Sequence, residues 1–485
     1  MIFLLPFFTA ISLPLIGHWH RAWCRPLGLA ALGLMALSAL YGAFVAMVHG
    51  PVQYALGGWD PPVGIVLILD GLSSLLAVAL SLISLVTLYF SGPALPKDLG
   101  SKVVPYHTLV LLLIAALAGM TLAGDLFNLF VFLEVGALCI YALVGLAGGR
   151  ALLAAFRYLI LGTIGASFYL LGVAYFYAAT GTLNMADFYS ILPGVIESKA
   201  VLTGLIFIFL GLGIKAAIVP LHGWLPDAYS HAPDSVVPLL ASLVTKVSLY
   251  AITRIMFWVL GAATLTYEFP LLSMVGFAGA VAAVVGAFLS LTQQDLRRMF
   301  AYGGISHIGL IVVGISIGNK TGFAGGIFYL LNDAVMQATL FIIVVILAYR
   351  FGVRELGQLQ SLGTQMPWTS VALIITALSM IGIPPTGGFF GKWYMVLGAL
   401  EAKNYWAVAA IFTSTLLTLA YFVRIIERMF GYRTTHVPSS SRVAEGPFEM
   451  RVSMGILAAS ILLLGLFSDW IVGLILRSAV PPGLG

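Results

Sequence analysis

Five residues of this chain have the chemistry to bind and release protons, and all five lie where water is scarce: Glu134, Lys215, Lys246, His307 and Lys392. Each sits inside a long apolar segment, as in "DLFNLFVFLEVGALCIY" around Glu134 and "VLTGLIFIFLGLGIKAAIVPL" around Lys215. One charge at the centre of a membrane helix costs about 2.5–3.5 kcal/mol on insertion scales. Four such charges cost on the order of 10 kcal/mol unless paired or hydrated, comparable to the net stability of a whole domain. Ionisable groups at membrane depth mark proton or ion pathways by default. Burial disfavours the charged form of both lysine and glutamate, whereas a nearby opposite charge favours it. A glutamate that approaches and leaves a buried lysine would therefore load and unload a proton. The competing reading is a static ion pair that locks two helices. One glutamate among three membrane lysines leaves two lysines with no evident counterion, which favours the proton path.

The depths agree with that reading. Glu134 lies nine residues past Asp125, which at the helical rise is about 13 Å into its segment. Lys246 lies twelve residues past Asp234, about 18 Å along its own. Lys215 reaches a similar depth from the other side, and Pro220 interrupts its segment five residues later. His307, in "AYGGISHIGL", titrates near neutrality and is a candidate relay between Lys246 and Lys392, or a hydrogen-bond partner of a neighbouring helix. His222 and His231 lie near one end of the interrupted segment, as a proton entrance or as ordinary interfacial residues. Asp333 and Gln337, in "LNDAVMQATLF", share one helix face and fit a hydrated relay or an interhelical hydrogen bond. Asp70 and Asp125 read as capping residues at segment ends, and Arg157 is near enough in sequence to tune Glu134. The histidines with Asp227 and Asp234 lack compact ligand spacing, so no metal is expected. There is no cysteine cluster, dinucleotide-binding glycine pattern or P-loop, so no cofactor and no redox chemistry are expected of this chain.

The elements that must position these groups follow from composition. Of 485 residues, 61% are hydrophobic and 8% are charged, against about 25% charged in a soluble domain. The chain is predicted to be an all-α, polytopic membrane protein with no nucleic-acid partner. Its beginning, "MIFLLPFFTAISLPLIG", lacks a basic leader and reads as a first span rather than a cleaved signal. Cys24 and Cys139 are too far apart in sequence, and Cys139 too apolar in setting, for a disulfide framework.

Fourteen segments are long enough to cross the hydrocarbon, at roughly 1–17, 26–48, 63–90, 106–123, 125–147, 151–179, 200–220, 235–260, 269–292, 298–318, 321–349, 367–400, 404–430 and 452–476. Numbering the connections in order, the odd ones hold fifteen of the lysines and arginines and the even ones with the C-terminus five. The positive-inside rule then puts the odd loops in the cytoplasm and both termini outside. The expected setting is the inner (plasma) membrane of a prokaryote. The chain reads as one transmembrane domain: three N-terminal spans over 1–105, a first repeat over 106–260, a second over 269–430, and a linker with the last span over 431–485. Spans 4–8 and 9–13 are predicted to be two inverted five-helix repeats. The seventh span is broken at Pro220 and the twelfth at "GIPPTGG", five spans apart, so the two run in opposite directions. Paired discontinuous helices in two halves are a sequence pointer to a transport site.

Four stretches carry a resemblance: "DLFNLFVFLEV", "GIKAAIVPLHGWLPDAYSHAPDSVVPLLASLVTKVSLYAITRI", "QQDLRRMFAYGGISHIGL" and "GIPPTGGFFGKW". Over roughly residues 60 to 430 the chain resembles the proton-conducting antiporter-like subunits. These are the D component of Mrp-type Na+/H+ antiporters and the large membrane-arm subunits of complex I and membrane-bound hydrogenases. The resemblance implies a fourteen-helix core with inverted repeats. It also implies that Glu134 and Lys215 form a coupling pair, that Lys246 connects the halves, and that Lys392 serves the second half-channel. Lysine rather than glutamate at 392, and the lack of a C-terminal lateral helix, point to the Mrp D branch; a redox-driven complex or a non-conducting structural subunit are the alternatives. Its partners would be other membrane subunits, protons and, in an antiporter, Na+. Many relatives have His and Lys where this chain has Asp333 and Gln337, which puts conduction through the second half in question.

Overall fold

The computed structural model describes residues 1–360, 362–431 and 445–484; most of the polar linker expected over 431–451 lies outside the described residues. Eighteen helices are used below in chain order. The first group is α1 (Leu4–Trp19), α2 (Cys24–His49) and α3 (Gly71–Leu99). Next come α4 (Val103–Leu122), α5 (Leu126–Gly145), α6 (Arg150–Thr180), the short α7 (Met185–Val195), α8 (Lys199–Lys215), α9 (Trp224–His231) and α10 (Val237–Leu260). The second half holds α11 (Leu271–Thr292), α12 (Leu296–Ile315), α13 (Lys320–Phe351), α14 (Pro367–Ile381), α15 (Gly387–Glu401) and α16 (Tyr405–Phe430). α17 (Phe448–Leu466) and α18 (Ser468–Ser478) follow. Eleven helices among the described residues are long and apolar enough to cross a membrane, so the protein is a mostly helical polytopic membrane-type chain.

Small polar residues start the helices because their side chains satisfy the free N–H groups of a first turn. Asp70 caps α3 in a reciprocal capping box with Ser73, Asp125 caps α5, Asp295 caps α12 and Asn319 caps α13. The expectation for Asp70 and Asp125 therefore holds, but Asp70 has a second task. It forms a buried ion pair with Arg254, which lies inside α10 rather than in a loop, over the Trp258 ring. The expectation of helices alone is corrected by one antiparallel hairpin, Val52–Ala55 with Val66–Leu69. Its second strand uses residues assigned to the third apolar segment, and α3 starts only after Asp70, where the cap sets the first turn.

α13 is the central post. It is 32 residues long, about 48 Å at the helical rise, and the whole of its most apolar window is buried. A helix apolar all round belongs inside a bundle, and α13 packs against α12, α15 and α17. α10 is nearly as enclosed and contains two stretches wound as π-helix, Leu240–Val244 and Ile255–Leu260. Where two helices both lie in lipid, close approach rather than hydrophobicity holds them. Gly172 on α6 faces the Gly204 carbonyl on α8, and Gly279 on α11 faces the Gly309 carbonyl on α12, at distances that leave no room for a Cβ.

Two of the predicted spans are broken. Helix α8 stops at Lys215, and the chain turns through 216–223 before α9. The segment predicted over 367–400 is α14 and α15, separated by Gly382 to Thr386. Gly388, in the first turn of α15, packs directly on the Ser379 carbonyl of α14. Gly388→Ala is expected to push the two half-helices apart and cost about 1–3 kcal/mol. Gly455→Ala on α17, where the added Cβ meets nothing, is the silent control. Thermal midpoints of the purified protein check this: Gly388→Ala lowers the midpoint, Gly455→Ala does not.

Candidate functional site

The first break puts an ammonium at the carboxyl end of a half-helix. Pro220 has no N–H to offer the Ala216 carbonyl, Ala217 takes a positive φ of 57°, and Trp224 on α9 donates its indole N–H to the Ile214 carbonyl at 2.7 Å. The unpaired carbonyls at a helix C-terminus carry partial negative charge and favour a cation there. Lys215, the last residue of α8, is that cation. Its Nζ donates to Glu134 Oε1 of α5 at 3.2 Å and to the Tyr141 hydroxyl at 3.3 Å. Lys215 keeps 5% of its side chain exposed and Glu134 27%, so the pair has a covered end and an open end.

The second break follows the same rule. Pro384 and Pro385 have no N–H, so the carbonyls four residues earlier, Met380 and Ile381, have no helical donor. Lys392, on α15, donates its Nζ to both, at 2.8 and 3.1 Å, and to Thr415 Oγ1 of α16 at 3.1 Å. No carboxylate lies within ion-pair distance of Lys392 among the described residues. Backbone holds this ammonium instead.

Between the breaks, Lys246 of α10 meets Asp333 of α13, Nζ to Oδ2, at 2.8 Å. Both side chains are buried, and Lys246 also donates to the Ala241 carbonyl in the π-wound stretch at 3.0 Å. The expectation that two membrane lysines lack a counterion is thus corrected for Lys246: its partner comes from far along the chain, which no local pattern reveals. Asp333 Oδ1 lies 3.6 Å from His307 Nδ1, and that nitrogen is 2.6 Å from the Tyr329 hydroxyl. Tyr329 stacks on His307, and Lys392 Nζ is 5.9 Å from the Tyr329 ring centroid. Lys246, Asp333, His307, Tyr329 and Lys392 therefore form one chain of contacts across the second half.

A small cavity of about 20 Å³ touches Lys215 and, on α10, Val244 and Ser248 on either side of Lys246. That is room for about one water. Glu134, Lys215, Lys246, His307, Asp333 and Lys392 are brought together along the bundle core. Others are not. His222 lies in the first break, its ring centroid 6.3 Å from that of Tyr302 on α12. His231 bonds the Asp227 carbonyl and lines a separate cavity of about 490 Å³ with Arg150, Arg297, Arg298 and Arg354. Arg157 pairs with Asp227 at 2.8 Å rather than approaching Glu134. Gln337 has no hydrogen-bond partner for either amide atom among the described residues. Tyr141 and Tyr329 were missed from the sequence. Their signal was helical spacing, seven residues past Glu134 and four before Asp333. No group of His, Cys, Asp and Glu able to hold a metal occurs among the described residues.

A lysine at each of two helix breaks and a buried ion pair between them, strung through an otherwise apolar bundle, define a polytopic membrane protein built around an internal polar axis. The chain belongs to the NADH:quinone oxidoreductase/Mrp antiporter transmembrane family, whose profile matches residues 123–418. It is 40% identical over 496 residues to NADH-quinone oxidoreductase subunit N of Desulforudis audaxviator, covering 99% of this chain and 98% of that one. It is 31% identical over 448 residues to the D component of the Na(+)/H(+) antiporter of Alkalihalophilus pseudofirmus, covering 91% and 89%. Its fold matches a chain of the Mrp complex from Dietzia with a TM-score of 0.88 at 27% identity, covering 98% and 96%.

Removing one partner of a buried ion pair strands the other charge and costs about 3–5 kcal/mol, whereas replacing both with apolar groups is close to neutral. Lys246→Met is therefore expected to lower thermal stability sharply, and Lys246→Met combined with Asp333→Leu to recover most of it. Melting of the purified protein separates the two outcomes.

Proposed function

We propose that this chain is a proton-translocating, antiporter-like subunit of a multisubunit membrane complex. The contact chain from Lys246 through Asp333, His307 and Tyr329 to Lys392 carries this reading. Glu134 and Lys215 form the coupling pair of the first half: separation of the carboxylate from the ammonium lets Lys215 give up its proton, and approach recharges it. The single-water cavity beside Ser248 passes the proton toward Lys246. Asp333 and His307 relay it, and Lys392 is the terminal site of the second half, held by carbonyls that accept from the amine in either protonation state.

The whole described chain acts as one transmembrane domain. The eleven long helices, α1, and the two broken pairs α8–α9 and α14–α15 together make fourteen crossings. The two breaks, each ending in a lysine held at a carboxyl end, support inverted repeats over spans 4–8 and 9–13. The arginine-rich ends of the bundle face the cytoplasm and both termini face outward, in a prokaryotic plasma membrane. His222, in the break, is the better placed entrance residue; His231 opens into a separate cavity lined by Arg150, Arg297, Arg298 and Arg354 together with Asp98, Asp234 and Asp295.

The partners are other membrane subunits. Mrp-type antiport, with Na+ as the exchanged cation, fits the lysine at 392. A redox-driven pump fits the 40% identity to an oxidoreductase subunit N. Gentle purification separates these: small antiporter-type subunits indicate the first, iron–sulfur subunits the second. In sealed vesicles, Glu134→Gln and Lys215→Met are each expected to lower proton translocation by about a hundredfold or more, with the complex still assembled. Wild-type rates in both variants would refute the coupling pair.

A further inference from the structure

One buried carboxylate in this chain meets no cation. Glu445 falls in the stretch that the sequence reads as a polar linker, yet it is 6% exposed and forms no ion pair among the described residues. Both of its oxygens are spent on the start of α14. Oε1 accepts the Trp368 N–H at 2.9 Å, and Oε2 accepts the Thr369 N–H at 2.9 Å and the Thr369 hydroxyl at 3.0 Å. The first turn of a helix leaves free N–H groups, which the preceding residue caps when it is Ser, Thr, Asp or Asn. In α14 that residue is Met366, whose side chain makes no cap. The Met366 N–H goes to the Leu362 carbonyl, and Pro367 has none to place. Glu445, 76 residues beyond Thr369, serves the two that remain.

The other end of α14 is the second break. The helix is 15 residues long, about 22 Å at the helical rise, and the carbonyls of Met380 and Ile381 at its end hold Lys392. One half-helix thus carries a carboxylate at its amino end and an ammonium at its carboxyl end, each at the pole of the helix dipole that favours it. α17 starts three residues after Glu445 and packs against α14 and α15. Near its far end, Gly465 rests on the Pro385 carbonyl and on the backbone of Thr386 and Gly387, with no room for a Cβ. Between Glu445 and Gly465, one segment therefore grips α14 at its start and the break at its end.

We propose that Glu445 is a positioning residue for Lys392, acting through α14 with α17 as a splint. The carboxylate fixes the amino end of the half-helix, the Gly465 contact fixes the break, and the Met380 and Ile381 carbonyls are thereby aimed at the ammonium. A packed helix moves as a unit, so a shift at its capped end reaches its last carbonyls. A misplacement of about 1 Å at a reacting group is enough to cost on the order of a hundredfold in rate. The proposal rests on the reading of Lys392 as a proton site, but the link between the two ends of α14 is measurable without it.

The test is amide hydrogen exchange and proton translocation of the whole complex carrying Glu445→Ala, or Glu445→Gln, which keeps one accepting oxygen. Glu445→Ala is expected to speed exchange at Trp368 and Thr369, where the cap is lost, and also across Gly382 to Gly388 at the far end. Translocation per assembled complex is expected to fall about tenfold or more, with Glu445→Gln between Glu445→Ala and the wild type on both readouts. Faster exchange confined to Trp368 and Thr369 would mean a local cap and overturn the proposal. Wild-type translocation in Glu445→Ala, with Lys392→Met inactive, would overturn it too. If Glu445→Ala does not assemble, Glu445→Gln decides by the same two readouts. If exchange rises at both ends while Lys392→Met translocates normally, the link through α14 stands and the role given to Lys392 fails.

Discussion

The ion pair between Lys246 and Asp333 is the contact on which the rest of the arrangement depends. Both groups are buried in a bundle with little polar surface. Neither charge is tolerable alone there, and the pair itself gains little stability over two apolar side chains. Its cost is met only because α10 and α13, the two most enclosed long helices, bring the groups to 2.8 Å. On the proposed function, a pair that adds little stability and constrains two central helices is kept for the proton it carries. From it, contacts run to His307, Tyr329 and Lys392, while on the other side Val244 and Ser248, the neighbours of Lys246 on α10, line the small cavity that also touches Lys215.

The two breaks handle their lysines differently. At Lys215 a carboxylate is the main partner, so loss of the lysine proton leaves Glu134 charged beside a neutral amine. At Lys392 the partners are two carbonyls released by consecutive prolines, together with a threonine hydroxyl. A neutral amine still has hydrogens to donate to those carbonyls, so discharge there strands no charge. On the proposed function, charge movement at the first site is coupled to a second ionisable group, and at the second site to the shape of the break. The two breaks thus leave one lysine paired with a carboxylate and one held mainly by backbone.

Much of this was legible in the sequence. Apolar segment lengths, caps at Asp70 and Asp125, and the breaks at Pro220 and Pro384–Pro385 follow from local chemistry. The positions of Glu134 and Lys246 well inside their helices follow from helical rise. Missing were contacts made across long sequence separations: Asp333 as the counterion of Lys246, Arg254 with Asp70, and Arg157 turned toward Asp227. Helical spacing marks which residues share a face, as with Tyr329, Asp333 and Gln337, but not which neighbouring helix that face meets. The hairpin before α3 was hidden because a short apolar run is equally compatible with a strand and with the start of a span.

The central claim, that the buried pair is part of a proton path, is tested most directly at Asp333. Proton translocation by the assembled complex should be measured in sealed vesicles carrying Asp333→Asn, with the amount of assembled complex quantified in the same preparation. The expected result is less assembled complex, because Lys246 is left unpaired, and translocation per assembled complex reduced by about a hundredfold or more. Translocation at the wild-type rate would contradict it and leave Lys246 and Asp333 as a structural lock.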